Sequence, residues 1–250
     1  MKLFSIPNLI TLLNLLCGCL AIVFAFDGNL VMSAYLVGIA AVLDFLDGFV
    51  ARALKQFSPI GKDLDSLADM VTFGVVPGVV VFIMASRGIE LSKDGFGFLE
   101  TNKWILWTPF IIPLFSALRL AKFNNDNRQT DSFIGVPTPA NSIFFCSIPL
   151  IANWNAHFSC ADYPNDLILV NPYFLIGASL LMSFLLISEI PLFALKVKGF
   201  GWKGNEIRYI FLALSLVMIV LLQFIALPLI IVLYVLMSVG NNLVKKVGGR

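Results

Sequence analysis

The chain has 250 residues, 59% of them hydrophobic and only 13% charged, with a formal net charge of +2 at pH 7. Its mean hydropathy of +0.91 excludes an ordinary soluble domain, which must cover itself with polar surface. Apolar stretches recur along the whole length rather than in one anchor, and strand-like alternation is absent. The expected fold is therefore an all-α polytopic membrane protein, because lipid offers no partner to backbone groups outside a helix or a closed barrel.

With about 20 residues as the length of one span, the apolar pattern predicts eight transmembrane helices. They lie near 6–26, 30–54, 65–86, 103–122, 138–154, 172–195, 207–223 and 226–244, in one integral membrane domain over residues 1–250. The first segment, with Met1 and Lys2 ahead of it, has features of a signal peptide. Asn8, Thr11 and Asn14 interrupt its apolar core and further spans follow, so a retained first helix is expected. The second and third helices carry acids at the ends that face their shared loop. The last division, around Ala226-Leu227-Pro228, is the least marked along the chain.

Charge sets the expected orientation. Of the 17 Lys and Arg residues, 14 fall on one side under this scheme; only Arg87, Lys93 and Lys103 fall on the other. By the positive-inside rule the richer side is cytoplasmic. Both termini and the Asp44–Asp69 stretch are then cytoplasmic, in a cell membrane. The loop from 155 to 171 has no Lys or Arg and fits the other face. Lys196, Lys198, Lys203 and Arg208 read as interfacial charges meeting anionic lipid. Cys17, Cys19, Cys146 and Cys160 form no CxxC pair and read as small hydrophobes or loop residues. His157 is the only histidine, which excludes a histidine-rich zinc site.

The chemically dense stretch runs Asp44-Phe-Leu-Asp47-Gly48-Phe-Val-Ala51-Arg52, then eight residues, then Gly61-Lys-Asp-Leu-Asp65-Ser-Leu-Ala-Asp69. Asp44 and Asp47 are three apart and Asp65 and Asp69 four apart, so each pair shares a helix face. A short connection makes the two helices antiparallel neighbours, and the four carboxylates can converge. Four acids brought together repel unless a cation compensates them; Arg52 and Lys62 alone do not suffice. Hard oxygen ligands suit Mg²⁺, Mn²⁺ or Ca²⁺, and two ions can share the set. Gly48 and Gly61 let a bulky ligand approach the backbone, and Ala51 keeps the same face narrow. Asp63 faces elsewhere and reads as a loop or cap residue. Solvation of helix ends would explain one or two of these acids but not four at paired helical spacing. A cation pathway would instead spread acids through the membrane depth on several helices.

The pattern DxxDGxxAR, eight residues, then GxxxDxxxD, resembles at every one of its eight fixed positions the signature of the CDP-alcohol phosphotransferases. The resemblance implies a six-helix core over about 5–200 with an additional C-terminal hairpin at 207–244. It implies a homodimer, and transfer of a phosphatidyl group from a CDP-linked lipid to an alcohol. Flanking segments are similar to the serine-accepting members. They are Pro7-Asn8-Leu-Ile-Thr11-Leu-Leu-Asn14, Leu67-Ala-Asp69 through Pro77, Ala117-Leu-Arg119-Leu-Ala-Lys122-Phe123-Asn124 and Gly135-Val-Pro137-Thr138-Pro139-Ala140. The Ser188–Lys198 region is similar less sharply. Members that accept glycerol phosphate typically carry arginine where Asn14 stands. Lys122 is more often arginine in the family, and Asn141 replaces a small residue.

What the resemblance implies for chemistry is CDP-diacylglycerol plus L-serine giving phosphatidylserine and CMP, with Mg²⁺ or Mn²⁺ as cofactor, in two ions. Inositol phosphate, glycerol phosphate and choline are the alternative acceptors. Asp44, Asp47 and Asp65 are implied as metal ligands and Asp69 as the base, with Asp69 also touching a second ion; spacing alone leaves Asp65 and Asp69 interchangeable. Gly48, Ala51 and Gly61 are implied to line the CDP pocket, with Arg52 on the phosphates or the loop. Asn8 and Thr11, near the cytoplasmic end of the first helix, are read as nucleotide-binding. The competing reading of these two and of Asn14 is hydrogen bonding between helices. Arg119 and Lys122 are candidates for the serine carboxylate, against a reading as basic side chains reaching for headgroups. Asn124 and Thr138 are candidates for the amine or hydroxyl.

Overall fold

The computed structural model describes residues 4–56, 58–91, 97–126, 132–159, 168–193, 201–202 and 205–248. Lys2, Lys93, Arg128, Cys160, Lys196, Lys198, Lys203 and Arg250, used above for charge and cysteine arguments, lie outside the described residues. So do residues 160–167 of the 155–171 loop.

Helix α1 (Ile6–Phe26) starts where Ser5 accepts from the Asn8 amide with Pro7 in the first turn, a pairing of cap and proline that satisfies exposed N–H groups. It turns back at Gly28, whose φ of +85° suits glycine. Arg87 Nη1 donates to the Gly28 carbonyl at 3.2 Å, tying that turn to a later helix. Helix α2 (Leu30–Ala53) is capped by Asn29 and packs along α1. Helix α3 (Pro59–Asp69) begins with Ser58 accepting from Gly61 N at 3.0 Å.

Here the structure departs from the expected 65–86 helix. Residues 59–69 are already helical, so Gly61, Lys62 and Asp63 belong to α3 and not to a loop or cap. The run then widens into a π-helical turn at Met70–Val75 and continues as α4 (Val76–Leu91). Such a turn lodges an extra residue in the helix and is frequent at functional sites.

Short helix α5 (Gly97–Thr101) and a 3₁₀ segment at Lys103–Phe110 lead into α6 (Ile111–Asn125). Strand β1 (Ser132–Ile134) precedes α7 (Thr138–Ser159); a 3₁₀ turn at Ile168–Val170 precedes α8 (Pro172–Ile187). The expected helix at 172–195 is corrected: it stops at Ile187, Ser188 turns extended at ψ 146°, and strand β2 (Pro191–Phe193) follows. Proline drives the residue before it away from helical geometry and has no N–H to extend a helix. Strands β1 and β2 pair antiparallel, Ser132 with Phe193 and Ile134 with Pro191. This small clip was not expected from the sequence.

Helices α9 (Glu206–Leu222) and α10 (Ala226–Gly248) form the final hairpin. It reverses through a 3₁₀ turn at Gln223–Ile225, where Gln223 takes φ +50°, between the expected helices 207–223 and 226–244. Phe211 of α9 meets Tyr234 of α10 at a centroid distance of 5.5 Å.

Five helical runs among the described residues are long and apolar enough to cross a membrane, and the chain is a multi-pass membrane protein. In an 18-residue apolar stretch of Pro59–Glu90, 67% of the residues are buried, against only 17% in such a stretch of Glu206–Val244. The α3–α4 run is therefore the central post, and the C-terminal hairpin lies at the periphery. Large apolar residues such as Phe45, Leu216 and Leu221 point outward, whereas Asn14, Ser33, Thr72, Ser116, Asn141 and Ser179 are buried. This polarity suits a lipid surround, where small and polar residues pack helices together.

Candidate active site

The site lies where α1, α2 and α3 meet. Helical spacing brings one carboxylate oxygen each of Asp44, Asp47 and Asp65 within 4.8 Å of one another. At that separation each ionised pair repels by roughly 3 kcal/mol for an effective dielectric near 20. Among the described residues no lysine or arginine pairs with any of the four acids. Asp65 Oδ1 is buried without a hydrogen-bond partner. Three converging carboxylates with one buried oxygen unspent fit a hard divalent cation. Asp69, the last residue of α3, is 7% exposed and stands outside that trio.

Helix α1 holds the acids in place. Thr11 Oγ1 lies 2.6 Å from Asp47 Oδ2 and 3.1 Å from the Pro7 carbonyl, and Asn14 Nδ2 donates to Asp69 Oδ1 at 3.3 Å. Thr72 of the π turn donates back to the Asn14 carbonyl at 3.2 Å. The polar face at Thr11 and Asn14 is thus spent on orienting carboxylates, which is the interhelical reading given more content. The sequence offered Asn14 no partner; its distance of 55 residues from Asp69 is bridged only by folding.

Beside the acids opens a cavity of about 570 Å³. All six residues expected to bind the CDP moiety (Asn8, Thr11, Gly48, Ala51, Arg52 and Gly61) line it together with Asp47 and Asp65. Gln56, Ser58 and Lys62 also line it and were not singled out for it from sequence; their signal was adjacency to the motif. The two motif glycines differ. A Cβ on Gly61 would stand 3.1 Å from both Asn8 Oδ1 and Ser58 Oγ, so this glycine permits close approach of α3 to α1. A Cβ on Gly48 would meet nothing nearer than the Arg52 guanidinium at 3.9 Å, so this glycine keeps the cavity open.

The four residues expected on the acceptor side do not line that cavity. Arg119 and Thr138 are buried, at 3% and 4% exposure. Arg119 Nε donates to the Val136 carbonyl at 3.4 Å and its guanidinium lies over the Phe123 ring at 5.4 Å. Lys122 forms an ion pair with Glu189 beyond the end of α8. Asn124 binds α3: its Nδ2 donates to Ser66 Oγ at 2.7 Å, and its carbonyl accepts from Lys62 Nζ at 2.8 Å.

The fold and the site together define a multi-pass membrane protein with an acid-lined cavity at the junction of its first three helices. Residues 4–170 match the CDP-alcohol phosphatidyltransferase family, and the chain belongs to that family. It is 33% identical over 153 residues to the CDP-diacylglycerol–serine O-phosphatidyltransferase of Helicobacter pylori strain J99, covering 60% of each chain. Over 135 residues it is 35% identical to the enzyme of that name from Bacillus subtilis strain 168, covering 54% of this chain and 69% of the relative. Archaetidylserine synthase of Methanothermobacter thermautotrophicus is 32% identical over 148 residues, 58% of each chain. The chain thus spans about 60% of the length of the Helicobacter relative.

Proposed function

We propose that this protein transfers a phosphatidyl group from CDP-diacylglycerol to L-serine, releasing phosphatidylserine and CMP. The observation that carries the reading is the Asp44–Asp47–Asp65 trio beside a cavity lined by the small and basic residues of the same motif. The names of the relatives support serine as the acceptor.

In this reading Asp44, Asp47 and Asp65 hold Mg²⁺ or Mn²⁺, and Asp69 also touches a second ion. The chemistry such metal supplies is polarisation of the phosphoryl oxygens and compensation of charge on departing CMP. Gly48, Ala51, Gly61, Asn8 and Thr11 accommodate the nucleotide, and Arg52 and Lys62 face its phosphates. A serine hydroxyl is a weak nucleophile at neutral pH and needs a base at hand. Asp69 accepts the hydroxyl proton as the serine oxygen forms its bond to the lipid-side phosphorus. The bond from that phosphorus to the bridging oxygen breaks, and CMP leaves with the electron pair. The Asn14 hydrogen bond to Asp69 orients the carboxylate for this role. Arg119 and Lys122 attract the serine carboxylate, and Asn124 and Thr138 serve its amine or hydroxyl.

The proposed protein is a homodimer of one integral membrane domain per chain, with eight spans. A six-helix core occupies residues 5–200 and the hairpin 207–244 is added to it. Both termini and the active site are on the cytoplasmic side of the cell membrane.

The test is CMP release by the purified protein with CDP-diacylglycerol, Mn²⁺ or Mg²⁺, and each of serine, inositol phosphate, glycerol phosphate and choline. Serine is expected to support turnover. Failure to release CMP with every one of the four acceptors would overturn the enzymatic reading; release with another acceptor but not serine would overturn only the substrate. Asp69→Asn is expected to lower kcat by at least about 100-fold while metal binding persists. Loss of metal binding in that variant would reassign Asp69 from base to ligand.

A further inference from the structure

The C-terminal hairpin meets the rest of the bundle across a cleft that the motif does not use. Helix α8 packs on α6 and α4, whereas α10 packs on α7 and α9. Between α8 and α10, over α7, lies a cavity of about 630 Å³. Every residue lining it is apolar, and none of them lines the cavity beside the acids. Phe144, Ile148, Met182 and Ile231 are buried and form its floor, while Leu181 and Leu236 at its lips are exposed. The cleft is thus continuous with the apolar outer surface of a membrane-spanning chain.

Its dimensions select the occupant. The lining runs from Phe174 to Leu185 on α8 and from Ile225 to Leu236 on α10, about 16 Å along each wall at the helical rise. Half the thickness of a bilayer's hydrocarbon layer is about 15 Å, which is the depth one extended acyl chain covers. A helix of that length with its side chains needs roughly twice the volume of the cavity. Small residues hold the slot open: a Cβ on Gly177 would meet nothing within 4 Å, and Ala178 lines the slot beside it. Left unfilled, such a slot forfeits dispersion contacts along its whole lining, and no polar side chain on its walls offers water a partner.

The two ends differ. At one end Leu185 and Val235 pack against the cluster of Val136, Phe193 and Tyr234, and the Val136 amide donates to the Leu185 carbonyl at 3.0 Å. At the other end Ile225 and Pro228 flank the close of the hairpin turn. Phe224 of that turn shares a second apolar cleft with Ala34 and Val37 in the first half of α2, whereas Asp44 and Asp47 lie in its second half. The plugged end is therefore the one nearer the acids, which leaves the far end for a headgroup.

We infer that this cleft holds one acyl chain of a bilayer glycerophospholipid whose headgroup lies in the leaflet opposite the acids. The chain joins α8 to the hairpin at the end that the β1–β2 clip does not reach. It belongs to a different lipid from any bound at the acids, and the inference does not depend on the reaction proposed there.

The experiment places the full chain in phosphatidylcholine nanodiscs doped with a phosphatidylcholine that carries a diazirine midway along one acyl chain. Labelled residues are mapped by mass spectrometry after illumination. Labels are expected on the buried floor residues Met182 and Ile231. Gly177→Phe fills the slot from α8 and is expected to reduce those labels at least about ten-fold, because excluding two methylene groups changes affinity by about that factor. Labels on outward residues such as Leu216 should stay unchanged. Val232→Trp fills the slot from α10 and serves in place of Gly177→Phe if that variant does not fold. Wild-type labels confined to outward side chains, the outcome if a second copy of the chain or no ordered molecule occupies the cleft, would overturn the inference. Floor labels that persist undiminished in a filled variant would overturn it equally.

Discussion

At the scale of single residues, helix α1 supplies hydrogen bonds to two of the acids, Thr11 to Asp47 and Asn14 to Asp69. The Thr11 hydroxyl at 2.6 Å from Asp47 fixes one carboxylate against α1. Thr11→Val keeps the shape and removes that bond. Partners of ligand side chains typically control about 10- to 100-fold in metal affinity or activity, so Mn²⁺ affinity by titration calorimetry should fall in that range. The glycines separate into two kinds. Gly48→Ala adds a methyl group into open cavity, so the expected outcome is a raised CDP-diacylglycerol KM with little change in thermal stability. At Gly18 an added Cβ collides with Thr72 on the π turn. Gly18→Ala should therefore lower the unfolding midpoint, by forcing α1 away from the central post. Equal stability losses in the two variants would contradict this division.

At the scale of elements, the β1–β2 clip and the C-terminal hairpin act together. Tyr234 of α10 donates to the Phe193 carbonyl at 2.7 Å, and Asn242 Nδ2 donates to the Pro191 carbonyl at 2.7 Å. Phe193, Phe211 and Tyr234 pack as an aromatic cluster, with Phe193 and Tyr234 at 4.9 Å. The hairpin is thus latched to β2, β2 to β1, and β1 leads through Gly135 to Val136, the acceptor of Arg119. Gly135 takes φ +76°, and an added Cβ there would meet the Leu186 and Ser188 carbonyls. Tyr234→Phe preserves the rings and removes one hydrogen bond, at a cost of about 1 kcal/mol. The corresponding fall in unfolding midpoint is about 2–4 °C for a chain of this size, measurable by a thermal shift in detergent. The clip could not be read in advance because three-residue strands carry no periodicity of their own. Their pairing spans nearly 60 residues of sequence and is set by where α7 and α8 end.

At the scale of the whole molecule, orientation is the property most open to test. With the native cysteines replaced, Lys55→Cys beside the motif and Lys103→Cys at the opposite end place single thiols on exposed residues. An impermeant maleimide should label Lys103→Cys in intact cells and Lys55→Cys only after permeabilisation. The reverse pattern would invert the topology and move the acids to the outer face. By itself the sequence determined that the chain is helical and membrane-embedded, and that the acids and glycines of one motif fall on facing helix faces. Both follow from composition and from the 3.6-residue repeat, which are local properties. Only the tertiary structure decided that α3 begins at Pro59 and passes through a π turn after Asp69. The same holds for Asn14 serving that carboxylate, and for Ser116 packing on Gly74 of the turn. Each of these depends on contacts between segments far apart in the chain, where no sequence spacing says which face meets which.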